Sequence, residues 1–168
     1  MVLTKTTYVQ ILLSAALFFS CSQNIENSKK TTIDPRSYHL GIIGGFSELV
    51  DVGVKKLAFS EALPPDDMDK LVDEAEVIAK RNHVELYREK DLIVTYLFPA
   101  DVAVGKDVLL IYKGNTKEEY LSLKQEIKVL EKEGKYTEEA KTDISIRLGK
   151  MLSYPQAKID ELIAGNKK

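Results

Sequence analysis

The chain has 168 residues, with 24 basic against 26 acidic side chains and a formal charge of −2, so it lacks the basic excess that marks a nucleic-acid binder. With 44% hydrophobic residues it can bury a core, and its length suits a single domain. A single cysteine excludes an intrachain disulfide framework and any metal site built from several cysteines.

The first twenty residues carry Lys5 near the start and an apolar stretch from Val9 to Phe19, interrupted only by Gln10 and Ser14. A stretch of about 11 residues fits the core of a signal peptide and falls short of the roughly 20 needed to span a bilayer. Polar chain follows at once. Residues 1–20 are therefore expected to be an export signal.

The segment Leu17-Phe18-Phe19-Ser20-Cys21 resembles the lipobox of bacterial lipoproteins, with Phe18 and Phe19 standing where that family usually has Leu followed by a small residue. The resemblance implies that the Cys21 sulfur receives a diacylglycerol, that the chain is cut just before it, and that the new amino terminus is acylated. Two or three acyl chains give stable anchoring, since each buried CH₂ contributes about 0.8 kcal/mol and one chain alone is marginal. In that family a serine after the cysteine, here Ser22, is compatible with sorting to the outer membrane. A cut before Gln23, with Ser20 and Ser22 as the small residues, would instead release a soluble secreted chain.

Residues 21–37 comprise this cysteine and a polar segment whose large apolar residues are Ile25 and Ile33. Such a segment buries too little surface to offset its ordering entropy and is expected to be a flexible tether. From Ser22 to Ser37 it would reach about 50 Å fully extended and about 22 Å as a random coil.

Residues 38–168 are expected to form the globular domain. The spacing of Ile43, Phe46, Val50 and Leu57 predicts a helix over Tyr38 to Lys56. Leu57-Ala58-Phe59 reads as a short strand. Pro64-Pro65-Asp66-Asp67 opens a helix whose apolar stripe is Met68, Leu71, Val72, Ala75, Ile78 and Ala79, running to about Asn82. Alternation around Val84 and Leu86 predicts a strand, and the continuous apolar runs Leu92–Phe98 and Val108–Tyr112 predict central strands covered on both faces. After Gly114, Thr116 and Glu119 have capping-box spacing, and Tyr120, Leu123, Ile127 and Leu130 form a helical stripe that Gly134 stops. Thr137 and then Pro155 begin two further helices. The expected fold is α+β: a small mixed sheet of three or four strands packed with about five helices in one domain. The helix over 66–81 would cross between parallel strands, and residues 89–91 would turn a hairpin.

The strong catalytic signatures are missing from the sequence: with only His39 and His83 there is no HExxH, and there is neither CxxC nor GxSxG. No cofactor and no metal site is expected. One set of residues passes a coarse geometric test. If the first and last strands end on one edge of the sheet, Ser60 and Glu61 would meet Lys113, Asn115 and Thr116 there. The free N–H groups of a helix start, with Lys113, could hold an anion, and Glu61 could accept a proton; turn-and-cap chemistry explains the same residues without a ligand. His39 is a further candidate for the site, but Glu48 lies about 180° from it on the same helix and cannot partner it. The leading expectation is a membrane-anchored envelope lipoprotein, held through lipid on Cys21, that binds an unidentified protein or small molecule without catalysis. The alternatives are an envelope enzyme or ligand-binding domain using the residues just named, and a purely structural or assembly protein.

Overall fold

The structure, a computed structural model, describes residues 32–167; the expected export signal and Cys21 lie outside the described residues. Asp34 caps the first helix, α1 (Pro35–Asp51), by accepting the Ser37 backbone N–H at 2.8 Å, with proline in the first turn. The helix thus begins at Pro35, three residues ahead of the expected boundary, because the cap and the proline outrank the apolar stripe in setting its start. There follow β1 (Leu57–Phe59), α2 (Pro65–Asp69), α3 (Val72–Arg81), β2 (Glu85–Glu89), α4 (Ala100–Ala103), β3 (Val108–Tyr112), α5 (Thr116–Lys132), α6 (Glu138–Met151) and α7 (Gln156–Asn166). The described residues therefore hold seven helices and a three-stranded sheet, an α+β fold. The helix expected over 66–81 is two helices, broken at Lys70 and Leu71.

The strand order is β1-β3-β2, and both pairings are antiparallel. The sheet is therefore not mixed. β1 and β2 run in the same direction, as expected of strands joined through α2 and α3, but β3 lies between them and pairs with both. In register, Leu57 faces Tyr112 and Phe59 faces Leu110 on one side of β3, while Tyr87 faces Leu110 on the other.

Every residue of β3 is buried. Leu109 and Ile111, with Ala58 of β1, meet Ile43 and Val50 of α1 and Ala75 and Ala79 of α3. Val108, Leu110 and Tyr112 belong to a second cluster with Tyr120, Leu123 and Ile127 of α5, Ile144 and Leu148 of α6, and Ile159 of α7. The unbroken apolar run of this strand thus reports two helical layers, one on each face, as the sequence predicts.

Leu92–Phe98 is the main departure. It is almost wholly buried, yet none of it is strand, and no hairpin turns at 89–91. Its backbone groups are met mainly by side chains instead. Ser145 Oγ accepts the Tyr96 N–H at 3.0 Å, Tyr136 donates to the Val94 carbonyl at 3.1 Å, and Asn166 donates to the Tyr96 carbonyl at 2.8 Å. Thr95 Oγ1 accepts the Leu97 N–H at 3.1 Å within the segment itself. An apolar run predicts burial; a ladder also needs a neighbouring strand, and here helices take that place.

Gly149 lies where α6, α7 and this segment meet. A Cβ at that position would stand 2.6 Å from Ile159 Cγ1, 2.8 Å from its Cδ1 and 3.2 Å from Leu97 Cδ2. Gly149→Ala is therefore expected to lower the unfolding free energy by about 1–3 kcal/mol through overpacking, against its gain in helix propensity of roughly 1 kcal/mol. Urea denaturation checks this; a stabilised variant would mean that the helices part at no cost.

Candidate functional site

The antiparallel pairing of β1 with β3 separates the residues expected to share one edge. Ser60 and Glu61 follow the C-terminal end of β1, beside the start of β3, whereas Lys113, Asn115 and Thr116 follow the far end of β3. They lie at opposite ends of the sheet. Ser60 continues the ladder: its N–H donates to the Leu109 carbonyl, and its Oγ accepts the Leu109 N–H, both at 2.9 Å.

At the other end Lys113 Nζ is held by Asp51 Oδ1 at 2.8 Å, and this hydrogen bond holds the Asp51 carboxyl below its ordinary range. Asn115 is the residue before α5 and makes no side-chain cap. The Thr116 hydroxyl donates to the Lys113 carbonyl at 2.9 Å instead of capping the Glu119 N–H, so the expected capping box does not form. Gly114, at φ +61°, makes the sharp turn that brings the chain from β3 into the helix. These residues close a turn, and their lysine is committed to α1.

What the fold does bring together is His39 and Glu61. His39 Nδ1 lies 2.5 Å from Glu61 Oε2, joining α1 to the segment after β1 across twenty-two residues of sequence. The His39 side chain is 22% exposed and that of Glu61 43%. Beside them a cleft of about 210 Å³ is lined by Pro35, Arg36, His39, Leu63, Lys70 and Leu71. Arg36 is paired with Glu74 of α3, and Lys70 with Asp67 at 2.7 Å. A carboxylate on one imidazole nitrogen orients the ring, leaving the other nitrogen for a ligand or a proton. Both cations are thus met by carboxylates, Asp67 itself lining the cleft, and with two leucines beside His39 the cleft suits a small, partly apolar ligand with a polar end.

A second polar cluster was not legible as a site. Glu89, at the end of β2, is only 2% exposed. Its Oε1 accepts from Lys124 Nζ and from the Asp91 N–H, both at 2.8 Å, while its Oε2 has no hydrogen-bond partner among the described residues. Burial acts to lower the Lys124 ammonium, but the Glu89 hydrogen bond and charge outweigh it and hold it above its usual value. Burial, with the Glu89 charge behind it, likewise pushes the Tyr120 hydroxyl up. One signal was present in the sequence: Lys124 falls on the inward stripe of α5, four residues after Tyr120 and three before Ile127. A cation on an apolar stripe calls for a buried acid.

Among the described residues no group of three or more His, Cys, Asp or Glu is placed to hold a metal ion, and no helix is long and apolar enough to cross a membrane. Comparison with protein-family models, with curated proteins and with solved structures finds no match to this chain.

Proposed function

We propose that the chain is an exported lipoprotein, held to a bacterial cell membrane through acylated Cys21, whose folded body serves as a binding module. The observation that carries this reading is the placing of the only cysteine, directly after Ser20 and a signal-like apolar core and directly before polar chain. The start of the folded body at the Asp34 cap supports it, since a short polar stretch then separates the anchor from the first helix. The body would lie within about 45 Å of the bilayer even with that stretch fully extended. Its partner is an unidentified protein or small molecule, and the cleft beside His39 is the place that a small ligand would take.

A second reading, an envelope enzyme, is favoured by the short His39–Glu61 contact, which is the geometry of an oriented general base. In that reading His39 moves the proton and Glu61 orients it, and residues 113–116 play no part.

The anchor is tested by Cys21→Ala. In a bacterial host the unchanged chain is expected in the membrane fraction and to take up labelled palmitate. The variant is expected to lose the label entirely and to leave that fraction after salt washing. Continued acylation of the variant would overturn the reading.

A further inference from the structure

Nine large apolar side chains are exposed among the described residues, and five of them, Ile33, Tyr38, Leu49, Val52 and Val54, belong to the segment that leads into α1, to α1 itself or to the residues just after it. The other four, Val77, Val102, Val104 and Val129, are spread over the rest of the domain, where isolated exposed apolar residues are ordinary. At about 100° per residue, positions 38, 42, 45, 49 and 52 fall within an arc of roughly 80°. That arc lies opposite the buried Ile43, Ser47 and Val50. α1 is thus apolar on two faces: one packs on the sheet, and the other opens as a shallow hollow of about 490 Å³ floored by Ile42, Gly45, Phe46 and Leu49, with Glu48 at its rim. A helix that only covered a sheet would carry polar residues on its outer side.

We propose that this outward face of α1 rests on the lipid bilayer to which Cys21 tethers the chain. The inference builds on the lipoprotein reading above. The tether runs directly into the first turn of α1, so the face nearest the anchor in sequence is also the one that carries the exposed apolar residues. The helix lies in the plane of the interface, its apolar arc among headgroups and upper acyl carbons, as surface-bound helices do. Tyr38, an aromatic residue with a polar tip, suits the headgroup level. The contact fixes which side of the domain points away from the membrane. The α5–α7 layer, on the other side of the sheet, is then the surface offered to partners.

The sequence has no tryptophan, so Leu49→Trp, Val52→Trp and Val129→Trp, the last on the opposite layer, each carry a single fluorescent reporter at an exposed position. A chain beginning at Cys21 keeps every described element and can be coupled through its only thiol to a maleimide lipid. The vesicles contain phosphatidylethanolamine, phosphatidylglycerol and phosphatidylcholine brominated on its upper acyl carbons. Reporters at positions 49 and 52 are expected to be quenched about threefold more than that at 129. Equal quenching at all three positions would overturn the proposal. So would a blue shift at 49 and 52 that rises with protein concentration without bromine quenching, since a second copy would then cover the face. Because the coupling is chemical, neither outcome depends on natural acylation, which the Cys21→Ala experiment reads separately.

Discussion

Lys124→Met is expected to destabilise the domain by about 3–5 kcal/mol, the cost of leaving one member of a buried ion pair without its partner. The Glu89 side chain is 3% exposed and that of Lys124 14%, so little water can replace the ammonium. Lys124 also reaches the Asp91 carboxylate at 3.2 Å and donates to the Asp91 backbone carbonyl. It therefore joins α5 both to the end of β2 and to the start of the irregular 91–98 segment. Without it, Glu89 keeps only the Asp91 N–H, and the segment loses one of its ties to α5. The double variant Glu89→Leu with Lys124→Met is expected to recover most of the loss, because a buried pair replaced by apolar groups is often neutral or better. Urea unfolding of the single and double variants completes the cycle. A single variant within about 0.5 kcal/mol of the parent would show that the acid is not buried as described.

Leu110→Ala is expected to cost about 2–5 kcal/mol, the range for emptying a fully buried leucine site. Leu110 has no exposed surface and lies in the middle of the central strand, opposite Phe59 on one side and Tyr87 on the other. Its face of the sheet carries the larger core, with Tyr120, Leu123 and Leu148, and a cavity there cannot be filled by moving one loop. The urea midpoint should fall with an unchanged slope, since the surface exposed on unfolding is nearly the same. A loss below about 1 kcal/mol would mean that the helices on this face collapse onto the cavity.

The candidate site was legible in its parts and not in its assembly. His39 and Glu61 are both visible as candidates in the sequence, but Glu61 falls beside Lys113 only if the first and last strands end together. One inversion of direction at β3 moves Lys113 to the far end of the sheet and leaves Glu61 for His39. Nothing in the residues 60–61 or 113–116 encodes that choice. It is decided by which strand takes the middle place, a competition that β3 wins because it is apolar on both faces.

Local chemistry is legible at several helix ends, though not at the start of α5, where Thr116 turns to the Lys113 carbonyl. Gly134 adopts φ +66° and stops α5, Thr137 accepts the Ala140 N–H and starts α6, and Pro155 precedes α7. These need only neighbours along the chain, so a single sequence carries them. The stripes of α3 and α5 and the two-faced burial of β3 followed from periodicity for the same reason. The apolar run at 92–98 told the truth about burial and nothing about pairing, because hydrogen-bond partners for a buried backbone can come from any direction. Ser145, Tyr136 and Asn166, all beyond residue 135, supply them here.

The sequence by itself thus determined that this chain buries a core, which apolar runs enter it, and where its later helices start and stop. Only the tertiary structure decided the strand order, the pairing of His39 with Glu61 and the burial of Glu89 beneath Lys124. The physical reason is range. Propensity, caps and periodicity act within a few residues, whereas each of the undecided features joins or separates groups that are distant in sequence, and many arrangements satisfy the same local preferences until one of them closes the core.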